Sequence, residues 1–169
     1  MARSDAGFVV VWAGGPTASG REIQGQRFDP DGTAVGAQFR VITSTANDQS
    51  HPAAAMDSAG GFVVVWDSFR NAGDRDVRGR RFESNGNPIG NDFRIHTSSA
   101  ENQFGAAVDI SNGSGDFLVA WSREASSSWD VRARRFASDG SPLGSQLSLD
   151  SEGGEFLVSV DLAQRRCDV

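Results

Sequence analysis

Trp12, Trp66 and Trp121 each close the same kind of apolar run, and Arg27, Arg81 and Arg135 each stand directly before a phenylalanine. An indole can stack on the apolar face of a sugar ring, and a guanidinium can hold a carboxylate through two parallel hydrogen bonds. Recurring at fixed places, they read as one lectin-like binding position per unit. Each also has a plainer reading, in which the tryptophan packs into a core and the arginine pairs with Asp57, Asp109 or Asp161 across neighbouring elements. Trp129 has no counterpart in the other units, which makes it the better candidate for an exposed contact. The expected ligand-binding residues are therefore Trp12, Trp66, Trp121, Trp129, Arg27, Arg81 and Arg135.

Other chemistry finds less support. The turns FDPDG (28–32) and FASDG (136–140) resemble oxygen-rich calcium loops, but the middle copy reads FESNG. Calcium takes about six to eight oxygen ligands, and a hairpin turn accounts for Asp, Asn and Gly without a metal. No metal and no cofactor is expected. His51 and His96 are unrepeated, and the chain contains no GxSxG, HExxH, P-loop or paired-cysteine pattern. Cys167, the only cysteine, has no partner for a disulfide or a metal site. Near-identical units suit multivalent binding, because linked weak sites gain avidity without new contacts. The expectation is a protein that is not an enzyme.

The formal net charge of −6 argues against nucleic acid and acidic membrane surfaces as partners. All 16 cationic side chains are arginine. No stretch approaches the roughly 20 apolar residues of a membrane span, so membrane insertion is not expected. The first residues lack the basic start and apolar run of a secretory signal.

The elements that must position these residues come in repeats. GFVVVW (7–12) returns as GFVVVW (61–66) and DFLVAW (116–121), and Phe28, Phe82 and Phe136 are each 54 residues apart. GQRFDPDGTAVGAQFRV (25–41) returns as GRRFESNGNPIGNDFRI (79–95) and ARRFASDGSPLGSQLSL (133–149). A third block begins at Asn-Asp-Gln or Asn-Gln, and FLVSVDLA (156–163) matches the pattern of FGAAVDIS (104–111). Each unit reads as four short strands, with Gly32, Gly86 and Gly140 placed for left-handed turn positions. No window has sustained helical periodicity.

Four antiparallel strands repeating at about 50 residues predict an all-β chain of β-propeller blades, three to a chain. A β-solenoid is the alternative, but its coils are usually shorter and lack hairpin glycines. As one domain over 1–169, the chain divides into strands two to four of a first unit (7–41), complete units over 52–95 and 106–149, and a closing first strand over 156–163. Each end holds what the other lacks. Natural propellers have about four to eight blades, so three call for a ring shared between copies, the tail strand of one completing the first unit of the next. A homodimer gives six blades, and a homotrimer is the alternative.

The wording GGFVVVW, RRFxxxGxPxGxxFRI and NQ resembles tandem repeats of large secreted bacterial proteins of the calcium-binding, adhesin-like kind. The likeness runs from Gly7 to about Ala163. It implies β-propellers in extracellular or cell-surface parent proteins, with no catalytic residues to carry over. The phrases DSAGGFVVVW and SDAGFVVVW also resemble the aspartate boxes of sialidase propellers, without their serine and threonine spacing. Three functions follow in order: a non-enzymatic oligomeric propeller binding glycans, a structural or protein-interaction scaffold, and, last, a sialidase-like hydrolase.

Overall fold

Short runs rich in Val and Phe, bounded by turn residues, satisfy their backbone groups by pairing with neighbouring runs. A computed structural model of the protein describes residues 2–4, 7–15, 20–44, 47–71, 74–98, 101–125, 128–150 and 159–160, with residues 2–4, 70, 71, 125 and 150 as backbone alone. Twelve strands are present among the described residues, and no helix. They are β1 (Ala2–Ser4), β2 (Gly7–Ala13), β3 (Ile23–Phe28), β4 (Ala34–Arg40), β5 (Gln49–Met56) and β6 (Phe62–Asn71). There follow β7 (Asp74–Phe82), β8 (Pro88–Arg94), β9 (Asn102–Ile110), β10 (Phe117–Ala125), β11 (Ser128–Phe136) and β12 (Leu147–Asp150). Each consecutive set of four forms one antiparallel sheet, β1 to β4, β5 to β8 and β9 to β12.

The first unit departs from expectation. It does not begin at its second strand, because β1 pairs with β2 through Ala2–Val9, Arg3–Phe8 and Ser4–Gly7. Three residues suffice to join an edge whose backbone groups are otherwise unpaired. The pairing stops there, leaving Val10 to Ala13 without a partner on that side among the described residues, whereas the matching edge of β6 is paired from Phe62 to Ser68. The closing strand expected over 156–163 lies outside the described residues except for Ser159 and Val160, which belong to no strand.

The middle strands of the second sheet, β6 and β7, are covered on both sides, which explains apolar residues on both faces of β6. Val63, Val65 and Val77 pack toward the third sheet with Phe117, Val119 and Trp121. Phe62, Val64 and Trp66 pack toward the first sheet with Val9, Ile23 and Val41. The first strands continue the stack: β5 touches β1, β2 and β3, and β9 touches β5, β6 and β7. The fourth strands β4 and β8 lie outermost and are largely exposed.

One aromatic device joins the sheets. Each sheet stacks a phenylalanine of its second strand on one of its third: Phe8 on Phe28 at 5.0 Å, Phe62 on Phe82 at 4.8 Å, and Phe117 on Phe136 at 5.0 Å. Phe39 of the first sheet inserts against Phe62 and Phe82, its centroid 6.1 and 5.5 Å from theirs. Phe93 of the second sheet meets Phe117 and Phe136 in the same way, at 6.4 and 5.8 Å. Burying a ring of this size is worth about 1.5–3 kcal/mol, so these insertions are a principal source of cohesion between sheets.

Candidate functional site

Trp66 and Trp121 are 0% exposed, so neither indole face is open to a ligand. Their Nε1 groups donate to Gln49 Oε1 at 2.9 Å and Gln103 Oε1 at 2.7 Å. This explains the Asn-Asp-Gln and Asn-Gln blocks: a buried indole N–H needs an acceptor, and the glutamine at the start of the first strand supplies it. Trp12 is half-buried, on the face of the first sheet turned away from the second.

The repeated arginines differ by position. Arg27 Nη1 donates to the Asn85 carbonyl, and Arg81 Nη1 to the Ser138 carbonyl, each in a hairpin of the following sheet. Burial draws the Arg81 pKa downward, against the attraction of Asp139. Arg135 is exposed. The calcium-like turns put their oxygens to local use: Asp29 Oδ1 accepts from the Asp31 and Thr33 amides at 3.1 and 2.7 Å, and Asp139 Oδ1 from the Ser141 amide at 2.7 Å. Among the described residues no group of three or more His, Cys, Asp or Glu could hold a metal ion.

Trp129 is half-buried and belongs to an aromatic rim spanning two sheets. Its ring meets Phe104 edge-on at 5.1 Å, and the Arg75 guanidinium lies 5.4 Å from Phe104 and 4.9 Å from Phe69. Arg75 is fixed from below, its backbone N–H donating to Asn102 Oδ1 at 3.1 Å while Asn102 Nδ2 donates to Glu124 at 2.9 Å. Cation–π contacts of this kind attract a guanidinium to the faces of half-buried rings.

Phe69 also borders a cleft of about 280 Å³ between the β4–β5 connection and the second sheet, lined by Thr43, Ser44, Asn47, Ser68, Arg78 and Asp92 among others. Arg78 binds Asp92 through both Nε, at 3.1 Å, and Nη2. The Thr43 amide donates to the other oxygen at 3.1 Å, and the Thr43 hydroxyl joins it. Burial disfavours ionisation of Asp92, but the hydrogen bonds from Thr43 and Arg78 outweigh it and hold the carboxyl below its ordinary range. The result is a fixed, charge-balanced floor beneath polar walls.

The matching place on the third sheet, beside the β8–β9 connection, carries an ion-pair network. Where the second sheet has Ser68, the third has Arg123, which pairs with Glu101 at 3.1 Å and with Asp130. Arg132 adds a contact to Asp130 at 2.8 Å, the first cause of that carboxyl's lowered pKa. The two places differ at Ser68 against Arg123, Asn47 against Glu101 and Asp92 against Gln146, so an ion-pair network stands in the third sheet where the second has a hydroxyl and an amide.

A Ser, a His and an Asp also meet beside this rim. Ser50 Oγ and Asp67 Oδ2 both lie 3.0 Å from His51 Nδ1. A nucleophile relay needs the hydroxyl and the carboxylate on opposite ring nitrogens, so these two compete for one nitrogen instead of passing a proton through the ring. Asp67 is 1% exposed and its other oxygen accepts the Gly105 amide of the third sheet at 2.9 Å. Burial pushes its pKa up to about 6, opposed by His51, the Gly105 amide and Arg75. His51 has φ of 48° at the bulge of β5, where the bulge of β9 places Gly105 at 65°.

The sequence pointed to Trp129 but missed Phe69 and Phe104, which share Arg75 only when the second and third sheets stack, and Asn47 and Ser68, which meet beside the β4–β5 connection. Comparison with known proteins finds no matching family model and no matching curated protein.

Proposed function

We propose that the chain is a non-catalytic, β-propeller-type binding module that associates with its own copies and binds neutral glycans at the cleft between the β4–β5 connection and the second sheet. The observation that carries this reading is the open cleft itself, floored by the Arg78–Asp92 pair, with Phe69 in its lining and Trp129 further along the same rim. Sugar recognition needs fixed donors and acceptors for hydroxyls beside an aromatic face, and this cleft offers both. Because Asp92 balances Arg78, a neutral sugar fits better than an acidic one. The propeller arrangement is supported by the aromatic insertion and arginine contact that recur at both junctions between consecutive sheets, and the likeness to repeats of secreted bacterial proteins agrees with an extracellular role.

A glycan array followed by calorimetric titration tests the reading. Ser68→Arg places in the cleft the side chain that stands at the matching position of the third sheet, and is expected to weaken binding at least about tenfold. Silence across neutral and acidic sugars, or full affinity in Ser68→Arg, overturns the glycan assignment. Array silence would favour a scaffold, the reading supported by the engagement of Trp66, Trp121, Arg27 and Arg81 in internal contacts. The non-catalytic assignment rests on the shared nitrogen of His51, and turnover of a chromogenic glycoside would overturn it.

A further inference from the structure

We propose that the outward faces of the first and third sheets form one interface between two copies of this chain, with Leu147 of one copy inserting against the stacked Phe8 and Phe28 of the other. The inference rests on the self-association part of the reading above and specifies its contact.

The interface already occurs twice within the chain. At both junctions a residue of the fourth strand, Phe39 or Phe93, enters a stacked phenylalanine pair of the next sheet, whose rings are then at most 2% exposed. The first sheet has the same pair, Phe8 on Phe28, and nothing among the described residues covers it as Phe39 and Phe93 cover theirs, so both rings remain half-buried. The third sheet has the insert without the pair: Leu147 occupies the register of Phe39 and Phe93 and is 49% exposed. Leu149 stands where Val41 and Ile95 are 0% exposed, yet it is 58% exposed itself. Such burial at two equivalent places and exposure at the third marks a face built to be covered.

The polar contact has the same unmatched ends. Arg27 and Arg81 each reach a carbonyl of the next hairpin, close against Gly86 and Gly140. Arg135 is exposed, with no further sheet beside it among the described residues, and Gly32, in the matching hairpin of the first sheet, has nothing within 4 Å of where a Cβ would lie. Donor and acceptor lie on opposite end faces, as do the insert and the aromatic pair. A second copy supplies both halves at once in a head-to-tail contact, which closes when the rotation allows.

Analytical ultracentrifugation of the full chain tests this, beside the same measurement on Leu147→Arg. Because Leu147 lies outside both internal junctions, the variant is expected to keep the wild-type circular dichroism and thermal midpoint. The wild type is expected at twice the chain mass of 17.9 kDa or a higher multiple, and Leu147→Arg as a monomer, its association weakened at least about a hundredfold. Ala133→Gly with Leu147→Phe, which recreates the internal junctions, is expected to tighten association about tenfold. A monomeric wild type at high concentration overturns the proposal, and so does an assembly indifferent to Leu147→Arg. Glycan binding by the Leu147→Arg monomer reports separately on the cleft, which lies within one chain.

Discussion

The Phe39 ring occupies the space that a side chain at Gly25 would need: a Cβ there would lie 2.7 Å from Phe39 Cζ. The two are register partners on β3 and β4, and Gly79 and Phe93 repeat the relation on β7 and β8. At the third copy the pair becomes Ala133 and Leu147, a smaller insert opposite a larger neighbour. The exchange keeps the summed volume nearly constant, as close packing requires.

Gly25→Ala is therefore expected to lower stability by about 1–3 kcal/mol through overpacking. Adding Phe39→Leu, which copies the third unit, should recover part of that loss. Urea denaturation of the four members of this double-mutant cycle measures the coupling; strictly additive effects would mean that the ring and the glycine do not compete for space.

Gln49→Leu and Gln103→Leu each leave a buried indole N–H without its acceptor. Each is expected to cost about 1–3 kcal/mol in denaturant unfolding. Combining Gln49→Leu with Trp66→Phe removes donor and acceptor together and should cost less than the two single changes added.

Asp67 titrates near pH 6 in the folded protein against an ordinary value of 3.8, because burial disfavours its ionised form. Its raised pKa means that the folded state binds the proton more tightly than the unfolded chain does. Its contribution to stability is therefore complete below about pH 4 and declines as pH rises through 6. Asp67→Asn keeps an oxygen for the Gly105 amide but cannot ionise, so it should gain on the wild type by up to about 3 kcal/mol between pH 4 and 7. Urea midpoints for both proteins across that range, with parallel pH profiles as the contrary result, decide the matter.

Gly140→Ala combines two penalties. Its φ of 86° is a conformation that a Cβ disfavours, and that Cβ would lie 2.9 Å from Arg81 Nε. A loss of about 1–2 kcal/mol is expected. Gly32→Ala shares the backbone strain but meets nothing within 4 Å, so its smaller loss would isolate the effect of displacing Arg81.

The repeat was legible because each unit must meet its neighbours identically: glycine at each hairpin, phenylalanine at 54-residue intervals, and runs apolar on both faces all follow from stacking. The acceptor for each tryptophan was legible in principle, since Gln49 and Gln103 precede Trp66 and Trp121 by 17 and 18 residues. β1 escaped notice because Ala2–Ser4 has no apolar alternation to announce a strand. The rim was hidden for a different reason: Phe69, Arg75, Phe104 and Trp129 come from β6, β7, β9 and β11, and periodicity within one unit does not reveal which side chains face each other across two sheets.

Arg27 and Arg81 reach across to main-chain carbonyls, and every residue type supplies one. The turns that receive them can therefore drift in sequence, as ESNG and ASDG have done, without loosening the junction. Divergence can accumulate at the hairpin tips while the couplings stay interchangeable, so units of this kind can be duplicated, deleted or exchanged with little compensating change.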